Sequence, residues 1–78
     1  MIILTNSKIL DTRQIKYIKL CMSGVITDDP CISFIYEFGD YIDRAIEINF
    51  ADYETAKAAF EAMQTAFIES VELFDMRR

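Results

Sequence analysis

The run DYETAKAAFEAMQTAFIESVELFDMRR, Asp52 to Arg78, dictates how the rest of the chain must fold. Tyr53, Ala56, Phe60, Met63, Phe67, Val71 and Phe74 recur every three or four residues, the spacing of one buried stripe on a helix. Asp52 stands just ahead of the stripe and can accept a hydrogen bond from a first-turn N–H. Glu54 in the first turn, and Arg77 and Arg78 at the end, have the signs that suit a helix dipole. Ala56, Ala58, Ala59, Ala62 and Ala66 raise helix propensity and permit close packing, and no glycine or proline interrupts the run. The sequence therefore predicts one long amphipathic helix over residues 52–78. A helix so apolar on one side needs a partner surface, which the remainder of the chain must supply.

The other side of that helix carries Glu54, Glu61, Glu69, Glu72 and Asp75, with Ile68 among them and Lys57 as its one cation. Two readings stand: a solvated acidic face, or a docking stripe for a basic protein groove with Ile68 as its apolar contact.

Upstream, the apolar pattern changes period. Met1 to Thr5 reads as a short first strand, Asn6-Ser7 as a turn and Lys8 to Leu10 as a brief return. Asp11 to Gly24 carries two signals. Asp11 with Gln14 resembles a capping box, and Ile15, Ile18 and Met22 fit a helical stripe. Ile15, Tyr17 and Ile18 favour strand, however, and Ile18, Leu20 and Met22 alternate with Lys19 and Cys21. Strand is the reading adopted.

Ser23 to Pro30 is a loop containing the acidic pair Asp28-Asp29 and the only proline. Cys31 to Phe38 alternates, with Ile32, Phe34, Tyr36 and Phe38 on one face and Cys31, Ser33, Ile35 and Glu37 on the other. Gly39-Asp40 fits a two-residue hairpin turn. The returning strand, Tyr41 to Phe50, puts Ile42, Ile46, Ile48 and Phe50 on one face, with Arg44 on that same side.

Residues 1–78 are thus expected to form a single two-layer α+β domain. An antiparallel sheet of about four strands would have the long C-terminal helix packed on one face. Ile18, Leu20, Phe34, Tyr36, Ile46, Ile48 and Phe50 would meet Phe60, Met63 and Phe67. The uncovered face would present Ile15, Tyr17, Cys21, Ile35, Tyr41 and Ala45, rather apolar for a surface facing only water. Cover by the N-terminal strands, or contact with a second copy or another protein, would account for it.

Charge narrows the partners. Residues 1–27 hold four cations against Asp11, a net +3, whereas residues 28–76 hold twelve acids against Arg44 and Lys57, a net −10; the whole chain is −5. Phosphate-backbone binding needs clustered positive charge, so no direct contact with nucleic acid is expected. No run of about 18 apolar residues exists for a membrane span. Lys8 and Asp11 interrupt the apolar opening too early for a signal peptide, which points to a cytoplasmic protein. At 78 residues the domain leaves much surface uncovered, which favours partner binding or oligomerisation.

Catalytic chemistry finds no foothold. The chain has no histidine, which excludes Ser-His and Cys-His pairs within one copy. Gly24 and Gly39 are too far apart for a phosphate loop. Cys21 and Cys31 lack the spacing and companions of a zinc site; they approach each other only if their strands form a hairpin, and free thiols are expected. No glutamate follows Asp28-Asp29 at EF-hand spacing, and no carboxylate pair is set apart for acid–base work. Neither a cofactor nor a metal is expected.

The opening Met1-Ile-Ile-Leu-Thr5, followed by Ile15-Lys-Tyr-Ile18 and a strand hairpin, is similar to several small β-rich bacterial regulatory domains, although the acidic body does not suit a DNA-binding relative. In size, acidity and want of catalytic residues the chain resembles small phage-encoded inhibitors of host defence, the anti-CRISPR proteins among them. That resemblance implies a non-enzymatic inhibitor bound to the basic nucleic-acid groove of a defence protein. Asp28, Asp29, Glu54, Glu61, Glu69 and Glu72 would meet the basic surface. Tyr17, Tyr41 or Ile68 would supply the anchoring energy. The alternative is a homodimer paired through the uncovered sheet face.

Overall fold

The computed structural model describes residues 1–25, 27–38 and 42–77. Chain order is β1 (Ile2–Leu4), β2 (Ile9–Asp11), one 3-10 turn (Thr12–Gln14), β3 (Ile15–Cys21), β4 (Cys31–Phe38), β5 (Ile42–Asn49), α1 (Tyr53–Ile68) and β6 (Leu73–Asp75). The α+β class is as expected. The single sheet of about four strands is corrected to two three-stranded sheets, β2-β1-β6 and β3-β4-β5.

The long helix is also corrected. It starts as expected: Asp52 Oδ1 accepts from the Thr55 N–H at 2.8 Å and from the Thr55 hydroxyl at 2.9 Å. It stops at Ile68. Ser70 takes a left-handed backbone, φ 57°. Its N–H donates to the Phe67 carbonyl at 3.2 Å, and the Val71 N–H donates to the Ala66 carbonyl at 3.0 Å. This paired closure is usually made by a glycine, and a serine there hides the helix end from a reader of the sequence.

Beyond the turn the chain straightens and β6 adds parallel to β1, with Ile3 opposite Phe74. The Ile2 N–H bonds the Glu72 carbonyl at 2.8 Å, and the Met76 N–H bonds the Leu4 carbonyl at 2.7 Å. Two identical clamps finish the strands that flank β1. Arg13 folds back on Asp11, and Arg77 on Asp75, each at 2.7 Å from its terminal nitrogen and each also donating its backbone N–H to the same carboxylate. These bonds hold both carboxyls down to about 2.

The expected N-terminal strands and their turn are present. The Thr5 N–H donates to the Lys8 carbonyl, and the Lys8 N–H donates to the Thr5 hydroxyl, both at 2.9 Å. The strand reading of the ambiguous segment holds for β3. Asp11 does cap, as its spacing to Gln14 suggests, but what it caps is the short 3-10 turn. In β3 the alternation breaks once. Ile15 pairs with Tyr36 and Tyr17 with Ile35, so Lys16 is an extra residue, a β-bulge. The bulge turns Ile15 toward the core, where it packs partly buried, instead of onto the uncovered face.

One core joins both sheets and the helix: Ile3 and Leu10 from the small sheet, Ile32, Phe34 and Tyr36 from β4, Phe50, and Ala56 and Met63 from α1. Ile18, Leu20, Ile46, Ile48 and Phe60 pack against it as expected. Phe67 does not, being 53% exposed. The other face of β4 is not open either, because Cys31, Ser33 and Ile35 are buried. The β3–β4 connection folds over it. The Val25 N–H donates to Glu47 Oε1 at 2.7 Å and the Asn49 amide donates to the Thr27 hydroxyl at 2.9 Å. Gly24 permits this approach, since a Cβ there would meet Glu47 Oε2 at 2.8 Å and the Thr27 carbonyl at 2.9 Å. The Gly39-Asp40 turn and Tyr41 lie outside the described residues.

Candidate functional site

The helix sorts its residues by angle. Ala56, Met63 and Ala66 are buried, with Ala59 and Phe60 partly so. Glu54, Glu61 and Ile68 are seven residues apart and therefore lie along one line, about two turns between neighbours. All three are exposed, Ile68 by 84%. Lys57 and Gln64 fall beside the same line. Of the acidic side expected on the long helix, Glu54, Glu61 and Ile68 are the members that α1 carries.

Glu69 and Glu72 leave that line. Glu69 is the C-cap residue, and Glu72 lies past the left-handed Ser70, on the strand-like approach to β6. Asp75, expected on the helix's acidic side, sits in β6 under its arginine clamp. The acidic face is shorter than the sequence suggests, because the helix beneath it is shorter.

Asp28 and Asp29 are exposed in the β3–β4 connection. Tyr17 is 48% exposed on the outer face of the sheet, since its register partner is Ile35. Tyr17 therefore lies on the sheet face opposite the helix that carries Glu54, Glu61 and Ile68.

The sequence missed an apolar groove between the second half of α1 and β3. Ile18, Phe60, Met63, Gln64, Phe67 and Ile68 line an open volume of about 480 Å³. The signal was present in the spacing of residues 60, 63, 64, 67 and 68, which share one helix side. The sequence reading places Phe60, Met63 and Phe67 in the core and Ile68 on the acidic side, so a groove lined by both sets goes unseen. Beyond the helix end, Val71, 37% exposed, and Leu73, 54%, are further exposed apolar side chains.

The two thiols, set aside as a zinc site, do meet. Cys21 and Cys31 are direct register partners on the outer face of β3–β4. Both are free. Burial, then the neighbouring Cys21, pushes the Cys31 thiol up to about 11, which suppresses the nucleophilic thiolate there. Among the described residues no three acidic, cysteine or histidine side chains gather to hold a metal ion, and no helix is long and apolar enough to cross a membrane. A scan against protein-family models found no match to the chain, and searches of curated proteins and of solved structures found none either.

Proposed function

We propose that this chain is a non-enzymatic protein-binding module that docks the exposed side of α1 on a basic surface of a partner protein. The observation that carries the reading is Ile68. A large apolar side chain 84% exposed, next to the half-exposed Phe67 and in line with Glu61 and Glu54, combines an anchor with flanking charge. Apolar anchors supply most of the binding energy in protein interfaces, while charge of one sign raises association rate and excludes wrong partners. The apolar groove beside Ile68 gives the anchor a second wall. An inhibitor of a host nucleic-acid-handling defence complex, encoded by a phage or mobile element, is the setting that suits a surface of this sign.

The test is capture of host proteins on the tagged chain, with and without nuclease, followed by light scattering of the eluate. The reading expects a stoichiometric protein partner that survives nuclease treatment. Glu61→Lys, and separately Ile68→Ala, should each release that partner while leaving the melting temperature of the free domain unchanged. Bait recovered alone at dimer mass would contradict the reading and favour a homodimer.

A further inference from the structure

We propose that the outer edge of β3 is a strand-addition site for an extended, acidic segment of a partner protein. The inference rests on main-chain geometry and on lysines, a different set of groups from the carboxylates of the preceding reading, although Ile68 borders both.

In the sheet order β3-β4-β5, β3 is an edge. Which of its peptide groups face outward follows from one hydrogen bond. The Phe50 N–H donates to the Pro30 carbonyl at 2.8 Å, extending the β4–β5 register by one pair. In an antiparallel ladder the N–H and C=O of a residue point to the same side, and the side alternates along the strand. Ile32 and Phe34 therefore face β5, while Cys31, Ser33 and Ile35 face β3. Their partners Cys21, Lys19 and Tyr17 turn inward to β4. Ile18 and Leu20 turn their N–H and C=O outward. Among the described residues, no backbone hydrogen bond from a loop, turn or cap reaches either of them. Such an edge is a template for another strand.

The side chains around this edge differ on its two faces. On the inner face Ile18 borders the apolar groove, overhung by Phe67 and Ile68. On the outer face stand the half-exposed Tyr17 and the exposed Lys19, with Lys16 exposed at the bulge. A strand laid along β3 would bond Ile18 and Leu20 through its main chain. Its inward side chains would fill the groove, and its outward ones would stand beside Tyr17 and Lys19. The fitting occupant alternates apolar residues with acidic ones. A second copy of this chain fits worse. Its β3 carries the same two lysines, which would be brought beside their counterparts.

The probe is an acetylated, amidated heptapeptide that alternates glutamate with valine and isoleucine, together with its lysine-for-glutamate counterpart. Amide exchange followed by NMR reports the edge directly. In the free protein the Ile18 and Leu20 amides should exchange fast and those of Tyr17, Lys19 and Cys21 slowly. The acidic peptide should slow Ile18 and Leu20 about tenfold or more, and bind about tenfold tighter than the lysine peptide. Lys19→Glu, at an exposed side chain, should fold normally and abolish the preference for the acidic peptide. Any of the following would overturn the proposal: slow Ile18 and Leu20 amides in the free monomer, no saturable binding by about 1 mM, equal binding of both peptides, or protection confined to other amides. Protection without peptide at dimer mass would assign the edge to a second copy, and would equally overturn it.

Discussion

The two halves of α1 share one sequence pattern and live in different surroundings. From Tyr53 to Met63 the apolar stripe sits on the sheet, with Ala56 fully buried and Met63 nearly so. From Gln64 to Ile68 only Ala66 keeps that role, while Phe67 is half-exposed and Ile68 largely so. The first half is held by the core. The second half presents a surface. Periodicity shows which residues share a side of a helix, but not how far the layer beneath that side extends.

The difference can be broken most forcefully from the buried half. Met63→Ala should destabilise the domain by about 2–5 kcal/mol, the usual cost of opening a cavity beneath a buried methionine, read from urea unfolding. The same half depends on its start. Asp52→Ala removes the acceptor of both Thr55 bonds and should cost about 1 kcal/mol by the same measurement.

The end of the exposed half should respond in the opposite direction. Ser70→Gly relieves a left-handed residue with a side chain and should stabilise the domain by about 0.5–1 kcal/mol. Loss of stability there would show that the Ser70 side chain has a role the backbone does not explain.

The smallest effect concerns acid. The Asp11 and Asp75 carboxyls, held at about 2 by Arg13 and Arg77, are depressed below their ordinary value of 3.8. Their contribution is complete above that ordinary value and is lost as pH falls toward 2. Both clamps are exposed, so the change should be slight. Unfolding curves of the natural chain and of Asp11→Asn with Asp75→Asn should differ at pH 5 and converge near pH 2. A constant offset across that range would place the stabilisation elsewhere.

What was legible in the sequence was local. The Asp52 cap, the N-terminal hairpin and the alternation of Ile32, Phe34 and Tyr36 each rest on neighbours a few residues away, and each appears in the fold. What stayed hidden depends on distant partners or on one unexpected backbone angle. Ser70 ends the helix where glycine is usual, and Val71 and Phe74 continue a three-to-four spacing while belonging to an extended segment. The parallel pairing of β6 with β1 joins the two ends of the chain and leaves no local trace. Lys16 shifts β3 by one residue, so Ile15 is core where strict alternation makes it surface. Of the candidate contact residues, Glu54, Glu61 and Ile68 stay aligned because they share the true helix. Glu69 and Glu72 part from them because the helix ends first.

The most direct measurement compares the two halves in one assay. Phe67→Ser with Ile68→Ser should cost about 1 kcal/mol in urea unfolding, clearly less than Met63→Ala, because Ile68 already faces water and Phe67 is half-exposed. A loss as large as that expected from Met63→Ala would mean that these residues are core, and the exposed half of the helix would no longer be available as a contact surface.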